Sequence, residues 1–218
     1  MKPYYERGGI TIYHGDCREI LPHLEAADAI VTDPVWPGAS VPLAGSDRPL
    51  ELFREVVALT SRLAPRLVVH LGCDSDPRFL LAVPPALPFL RACWLRYACP
   101  YYKGRVLYGS DVAYVFGAPP PASPGAMVLP GEVTIRDNSD KLPRGAHPCP
   151  RRLEGVAFLV KWFGGRSVID PFAGAGTTLL ACHNAGVRAV GIEIEERYCE
   201  VAARRLKQKV FDFEARTA

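Results

Sequence analysis

The sequence predicts an α/β fold with a mostly parallel sheet. Short apolar or β-branched runs alternate with segments whose apolar residues recur at helical spacing, and several of the short runs end in an acid or a glycine-rich turn. Open parallel sheets bind their ligands at such strand ends. At 218 residues, the chain is long enough for a single domain that spans residues 1–218 and has a complete hydrophobic core.

Seven strands are predicted, each from a short apolar or β-branched run bounded by turn residues or by an acid. In chain order they are residues 10–14, 29–32, 67–71, 92–98, 112–116, 167–169 and 189–192. The fourth and fifth leave no room for a crossover helix between them, so they are predicted to pair as an antiparallel hairpin. The hairpin would carry a long basic tip that contains Lys103 and Arg105.

Five helices are predicted from apolar residues at helical spacing. They span residues 17–24, 50–63, 153–163, 177–185 and 195–209, and the charges of the last one match the helix dipole. Three other segments, 36–49, 100–108 and 117–150, are predicted to be irregular loops that face the substrate. The longest is rich in proline and polar residues, and a loop of this length in a compact domain is more often functional than idle.

Composition narrows the possible functions. The net charge of +3 permits a nucleic-acid partner without requiring one. The seven cysteines are scattered with no CxxC pair, which indicates reduced thiols in the cytoplasm and predicts neither a metal site nor a disulfide framework. No apolar run is long enough to cross a membrane, and the first residues lack the apolar segment of a signal peptide.

A glycine-rich turn follows the predicted strand 167–169. Gly174 and Gly176 allow the backbone to approach a ligand closely, and the helix that begins next offers free N–H groups. About twenty residues further on, Glu193 ends the next strand, where nucleotide-binding folds place an acid that accepts hydrogen bonds from ribose. The turn lacks the Gly-Lys-Thr of a P-loop, so an ATPase is disfavoured.

These segments closely resemble the cofactor half of permuted, β-type DNA amino-methyltransferases, which methylate adenine N6 or cytosine N4 with S-adenosylmethionine. The resemblance lies in Asp170-Pro-Phe-Ala-Gly-Ala-Gly-Thr-Thr178 and Gly191-Ile-Glu193-Ile-Glu-Glu-Arg-Tyr198. It implies that Glu193 holds the ribose of the cofactor. It also implies that the methionine end is surrounded by Asp170, Phe172, Ala173, Gly174, Gly176 and Thr177. Upstream, the basic pair Arg151-Arg152 stands where the family usually has Lys-Pro.

The segment after the first predicted strand resembles the family as well. In His14-Gly15-Asp16-Cys17, Asp16 and Cys17 stand where the family contacts the adenine of the cofactor, although Asp16 could simply cap the following helix. The resemblance implies a seven-stranded class I methyltransferase (Rossmann-like) sheet. It would be circularly permuted, so that the catalytic turn precedes the cofactor turn, and would end in the antiparallel hairpin.

The predicted strand 29–32 is followed by Asp33-Pro34-Val35-Trp36, where the family carries Asp-Pro-Pro-Tyr or a close variant. Alone, this segment could be an ordinary turn. The lone pair of a base amino group is delocalised into the ring, so two acceptors that face its hydrogens would make the nitrogen a better nucleophile. The Asp33 carboxylate and the Pro34 carbonyl are predicted to be these acceptors, and Trp36 is predicted to stack on a base swung out of the helix.

DNA is the predicted substrate. Adenine N6 is favoured over cytosine N4, because Asp33 stands where cytosine-N4 enzymes more often have serine. Substrate contacts are predicted for Lys103, Arg105, Arg144, His147 and Arg151. Only the three irregular segments remain to read a base sequence, which predicts a short recognition site or help from a second subunit, as in a homodimer.

Other functions stay open. An RNA or small-molecule methyltransferase would share the cofactor half. A non-enzymatic nucleic-acid-binding module would explain the positive charge but not the motifs at the strand ends. A cytosine-C5 methyltransferase would need a nucleophilic cysteine, and the one cysteine that follows a proline, Cys149, precedes the cofactor turn instead of following it.

Overall fold

One mixed sheet runs through the described part of the chain. The computed structural model describes residues 1–37, 43–72, 75–122, 128–136, 142 and 151–214. Within these residues there are nine strands: β1 (Tyr5–Arg7), β2 (Ile10–His14), β3 (Ala29–Thr32), β4 (Arg66–Gly72), β5 (Phe89–Lys103), β6 (Val106–Gly117), β7 (Glu132–Ile135), β8 (Ser167–Asp170) and β9 (Arg188–Glu193). They pair in the order β1-β2-β9-β8-β3-β4-β6-β5-β7.

The centre of the sheet is parallel and one end is antiparallel. Strands β2, β9, β8, β3 and β4 pair in parallel. Strand β6 runs antiparallel to both β4 and β5. At the two edges, β1 is antiparallel to β2 and β7 is parallel to β5. The predicted fold class is therefore confirmed, including the antiparallel hairpin.

The predicted strands take adjacent positions in the sheet. All seven form, and the strands that end at Asp170 and Glu193 are neighbours, flanked by those that precede Asp33 and Asp16. The described residues add two edge strands, β1 and β7. Strand β7 lies within the segment 117–150, which was expected to be irregular throughout; that expectation is wrong for residues 132–135. These four residues alternate exposed and covered positions against β5, a pattern too short to stand out in a proline-rich segment.

Helices cover both faces of the sheet. They are α1 (Cys17–Ile20), α2 (Pro49–Thr60), α3 (Leu153–Leu159), α4 (Thr177–Asn184) and α5 (Glu196–Glu214). Short 3₁₀ turns follow at Leu21–His23 and Pro77–Ala82, and a π-helical turn at Val160–Gly164 extends α3. The predicted helix 17–24 thus changes from an α-helix to a 3₁₀ turn at Leu21, next to Pro22. None of the described helices is long and apolar enough to cross a membrane.

Two hydrophobic cores lie on opposite sides of the sheet. Within β3, Ile30 belongs to the same core as Phe53 of α2, whereas Val31 belongs to the core that contains Phe163. Successive residues of a strand point to opposite faces, so a strand covered on both faces needs a continuous apolar run. Because the faces are covered in this way, the strand ends remain as the place where the central sheet meets a ligand.

The hairpin of β5 and β6 is longer and more regular than predicted. Residues 100–108 were expected to be irregular, but β5 continues to Lys103 and β6 begins at Val106, so that expectation is wrong. Tyr101 pairs with Tyr108 across the hairpin, and their rings stack with centroids 5.3 Å apart. Aromatic cross-strand pairs stabilise extended strands. Gly104, with φ +61°, then closes a tight turn instead of a long tip.

The turn between β8 and α4 depends on glycine at position 176. Gly176 has φ +76°, and a Cβ there would lie 2.6 Å from the Cβ of Ala202 in α5. Gly186 has a similar φ of +67°, but a Cβ there would meet nothing within 4 Å.

We expect Gly186→Ala to lower the free energy of unfolding by about 1–2 kcal/mol through backbone strain alone. Gly176→Ala should lower it clearly more, and equal losses in urea unfolding would contradict the importance of the α5 contact.

Candidate active site

Four acids at strand ends surround one cavity. Asp170 ends β8 and Glu193 ends β9, while Asp16 and Asp33 follow β2 and β3. These strands are adjacent in the sheet. All four acids line a cavity of about 240 Å³. The cavity lies at the carboxyl ends of parallel strands, where open α/β sheets bind their ligands.

The glycine-rich turn is fixed from two sides. The two carboxylate oxygens of Glu193 accept hydrogen bonds from the backbone N–H groups of Gly174 and Glu195, both at 2.8 Å. On the other side, the buried Arg205 of α5 donates to the carbonyl of Ala175. Burial raises the pKa of Glu193, and the two backbone N–H donors oppose that rise. The turn is therefore held in shape by the protein itself.

Asp170 supports the turn from within the protein. Its Oδ1 accepts hydrogen bonds from Thr32 Oγ1 at 2.7 Å and from the backbone N–H of Phe172 at 3.1 Å. The side chain is buried, and burial raises its pKa to about 6 against the opposing hydrogen bonds of Thr178 and Thr32. Asp170 thus links β8 to β3 and fixes the start of the turn.

The raised pKa of Asp170 predicts a pH effect on stability. The folded value of about 6 lies above the ordinary 3.8, so the folded protein binds this proton more tightly. This contribution to stability is fully present below about pH 4 and is lost as the pH rises through about 6, with one pKa unit equivalent to about 1.4 kcal/mol.

Asp170→Asn keeps an acceptor oxygen without the charge. We expect this variant to be more stable than the wild type at neutral pH and similar to it at about pH 4. Urea unfolding at the two pH values measures the difference. A variant that is less stable at neutral pH would show that the fold depends on the ionised carboxylate.

Asp16 caps α1 and also faces the cavity. It accepts a hydrogen bond from the backbone N–H of Arg18 at 2.8 Å and others from the Arg18 guanidinium, which also reaches Glu55. The Arg18 hydrogen bonds hold the pKa of Asp16 below its ordinary value. Cys17 is buried beside it, and burial raises the pKa of its thiol to about 12. Asp16 therefore caps the helix, the alternative that the sequence left open, and a cofactor contact by Asp16 or Cys17 stays a prediction.

The predicted catalytic residues lie on the same cavity wall as Arg151. Asp33, Pro34 and Trp36 all line the cavity. Asp33 forms a two-bonded ion pair with Arg151, whose Nε lies 2.7 Å from Oδ2 and whose Nη2 lies 2.8 Å from Oδ1. The Arg151 guanidinium also lies over the Trp36 ring, 4.8 Å from its centroid. A substrate contact was predicted for Arg151; its side chain is 13% exposed and lines the cavity, and that contact stays a prediction.

A buried acid completes this cluster and was not predicted from the sequence. Asp111 of β6 accepts a hydrogen bond from Nη1 of Arg151 at 3.1 Å and lies 3.1 Å from Nε2 of His70. Burial disfavours its charge, yet hydrogen bonds from His70 and Tyr97 and the charge of Arg151 hold its pKa below the ordinary value. One signal was present in the sequence: His70 is a polar residue within the apolar run 67–71, whereas Asp111 follows Ser110 just before the predicted strand 112–116.

Some of the other residues predicted to bind cofactor or substrate line the cavity, and others lie elsewhere in the structure. Those that line the cavity are Phe172, Ala173, Gly174 and Thr177. Gly176 instead packs against α5. Arg105 is exposed at the hairpin turn, just after β5 ends at Lys103, and does not belong to the described lining of the cavity. Arg144 and His147 lie outside the described residues.

Known proteins share this fold. The sequence profile of a family described as DNA methylase (N6_N4_Mtase) matches residues 135–204. M1.HpyAVI, solved in complex with SAM, aligns with a TM-score of 0.68 at 22% identity over 90% of this chain and 99% of its own. The cytosine-N4-specific PvuII DNA methyltransferase aligns with a TM-score of 0.72 at 16% identity over 93% of this chain and 88% of its own.

A third similar structure comes from Thermus thermophilus. TTHA0409, complexed with S-adenosyl-L-methionine, aligns with a TM-score of 0.60 at 24% identity over 91% of this chain and 95% of its own. A comparison with curated protein sequences gives no match. The protein therefore has the fold of class I methyltransferases. The predicted resemblance to DNA amino-methyltransferases is confirmed by the profile match, which includes the glycine turn and Glu193.

Proposed function

We propose that this protein transfers a methyl group from S-adenosylmethionine to the exocyclic amino group of a base in DNA, with adenine N6 as the favoured target. The proposal rests on one observation: a single cavity joins the glycine turn and Glu193 to Asp33, Pro34 and Trp36. A methyl donor held by the first group would lie beside an amine held by the second. Holding two reactants in this way supplies much of the rate of a bimolecular reaction.

The donor set of the cavity suits S-adenosylmethionine. Each oxygen of Glu193 accepts one backbone hydrogen bond and keeps a second lone pair for a ribose hydroxyl. Gly174 has φ +50°, and its lack of a Cβ lets the cofactor approach the backbone. Asp16 offers an acceptor for the adenine amino group. Bound there, the cofactor would supply a methyl group activated by its sulfonium, and two similar structures, M1.HpyAVI and TTHA0409, were solved with this molecule.

Asp33 and Pro34 would position the target amine. The carboxylate of Asp33 and the carbonyl of Pro34 would each accept one N–H, which aligns the nitrogen lone pair with the methyl group. As the nitrogen attacks, it gains positive charge, and the partly buried Asp33 carboxylate stabilises that charge. Trp36 would stack on the base once it has left the duplex.

The choice between the two amines rests on the residue at position 33. Aspartate favours adenine N6, because the family more often has serine at this position when cytosine N4 is the target. Cytosine N4 is the alternative, because the same two acceptors would serve either amine. The PvuII enzyme, which shares the fold, is cytosine-N4-specific.

The hairpin turn is proposed to contact DNA phosphates through Lys103 and Arg105. Removing both charges should reduce the slope of log affinity against log salt by roughly 1.8, since each phosphate contact contributes about 0.9. Lys2→Ala combined with Arg7→Ala is the matched control, because it removes two charges at the opposite edge of the sheet. Filter binding over a range of salt concentrations measures the slopes. Equal slopes for the two double variants would remove the hairpin from the DNA interface.

Transfer of labelled methyl groups tests the proposed substrate class. Unmethylated duplex DNA, single-stranded DNA, RNA and free nucleosides are each incubated with the purified protein and labelled S-adenosylmethionine. Duplex DNA should be the best acceptor. Preferential labelling of RNA would replace DNA by RNA as the substrate, and labelling of nucleosides alone would indicate a small-molecule methyltransferase. A short recognition site, or help from a second copy of the chain, is part of the proposal because few residues remain to read a longer site.

A further inference from the structure

Arg151 occupies the two features that the proposed function assigns to the target base. Its guanidinium donates to both oxygens of Asp33 at 2.7 and 2.8 Å. The same group lies over the ring of Trp36. A guanidinium is planar, carries N–H donors and stacks on aromatic faces, so it shares these properties with the amino edge of a nucleobase. In the structure Arg151 therefore fills the place that an extruded base would take.

This arrangement opposes methyl transfer. Positive charge develops on the amine as it attacks, and a carboxylate stabilises that charge best when no other cation neutralises it. With Arg151 bonded to both oxygens, Asp33 already has a full positive charge beside it. Like charges within a few ångströms repel strongly in a partly buried site. The base would also find the face of Trp36 covered. Methyl transfer thus requires Arg151 to leave Asp33.

Asp111 is placed to receive the guanidinium. It already accepts one hydrogen bond from Arg151 at 3.1 Å and is only 7% exposed. His70 and Tyr97 hold its carboxylate in place. Arg151 can release both bonds to Asp33 while it keeps the bond to Asp111, so its charge never lies unpaired in a buried site, an arrangement that would be strongly unfavourable.

We propose that Arg151 and Asp111 are positioning residues that act through Asp33. In the free protein Arg151 holds the Asp33 carboxylate and the Trp36 ring in the arrangement that a base requires. When the base enters, Arg151 moves entirely onto Asp111, and Asp33 becomes available to the amine. This exchange rests on the proposed function and adds to it Asp111, a residue outside the two sequence motifs.

A suppression experiment tests the exchange. Asp111→Asn removes the charge that receives Arg151, so Arg151 should stay on Asp33 and the single-turnover rate on unmethylated plasmid DNA should fall by about tenfold or more, the usual weight of a hydrogen bond to a charged group. Cofactor affinity should not change. Adding Arg151→Gln removes the competing cation, so the double variant should be faster than Asp111→Asn alone. Rates are expressed per cofactor-binding site, which corrects for unfolded protein.

Arg151→Lys supplies the matched control. Lysine keeps a cation beside Asp33, so Asp111→Asn should still slow the reaction in that background. If Asp111 and Arg151 only supported the fold, the losses from Asp111→Asn and Arg151→Gln would add. A variant with both of these changes that is as slow as Asp111→Asn alone, or slower, would overturn the exchange.

The crystal structure of the Asp33→Ala variant tests the exchange without a measurement of enzyme activity. Without its competitor, the Arg151 guanidinium should bond to Asp111 with two nitrogens, and an arginine that stays at position 33 or turns to solvent would overturn the exchange. A wild-type protein that methylates no nucleic acid would instead defeat the proposed function.

Discussion

Replacing Asp33 by alanine is expected to lower the single-turnover rate of methyl transfer by roughly 10²–10³-fold, the usual effect of removing one electrostatic partner of a reacting group. Cofactor binding should be nearly intact, because Asp33 follows β3 whereas Glu193 and Asp16 lie at the ends of β9 and β2. Melting temperature, cofactor affinity and rate are measured on the same samples. An Asp33→Ala protein that folds, binds cofactor and reacts at a near wild-type rate would remove the mechanism.

A nearby acid provides the control for this change. Asp47 also lines the cavity, but its side chain is 75% exposed and its ion-pair partner is the exposed Arg48. Asp47→Ala should have little effect on the rate, so a comparable loss there would point to the overall charge of the cavity instead of a specific contact.

Trp36→Ala should mainly weaken base capture, by about 1–3 kcal/mol of stacking, and Trp36→Phe should restore part of it.

Replacing Glu193 by alanine is expected to weaken binding of S-adenosylmethionine by at least tenfold. The variant loses a charged acceptor for ribose, worth about 1.5–3 kcal/mol. It also frees the backbone N–H groups of Gly174 and Glu195, which now hold the turn. Gly174→Asp should weaken binding as well, because it adds a side chain and a negative charge where the cofactor approaches. Isothermal titration calorimetry measures both affinities.

Glu196→Ala is the matched control for the cofactor experiment. Glu196 begins α5 three residues after Glu193, but it is exposed and does not belong to the described lining of the cavity. Its removal takes away the same charge at nearly the same place, so binding should be unchanged. Unchanged affinity in both Glu193→Ala and Gly174→Asp would contradict the proposed cofactor site.

Local sequence patterns were sufficient to predict the central strands and the acids that follow them. Runs such as 29–32 and 168–169 are buried on both faces, and only a strand between two covering layers requires that pattern. The ends of the hairpin and strand β7 were missed for a different reason. Tyr101 and Tyr108 extend the hairpin by stacking on each other, and Glu132–Ile135 forms a strand only because β5 is there to pair with it. The stacked tyrosines form a local cross-strand contact that no apolar run indicates, whereas β7 depends on a partner strand that is distant in the sequence.

The residues of the candidate site also differ in whether the sequence alone could predict them. The sequence predicted that Asp33, Asp170 and Glu193 would converge, because each ends or follows a parallel strand. It did not predict that Arg151 would pair with Asp33, since 118 residues separate them and no periodic pattern connects two side chains that meet across a cavity. His70 was overlooked because it is one polar residue within the apolar run 67–71, and Asp111 because it lies just before the predicted strand 112–116. Neither residue indicates a function until its partner is known.

The nucleosides formed in DNA give the most direct test of the proposed reaction. Unmethylated DNA is treated with purified protein and S-adenosylmethionine, digested to nucleosides and analysed by mass spectrometry, with Asp33→Ala as the blank. We expect N6-methyladenine from the wild type, whereas N4-methylcytosine would keep the mechanism and change the base. C5-methylcytosine, or no methylated nucleoside from a protein that folds and binds the cofactor, would contradict amino-methyl transfer to DNA.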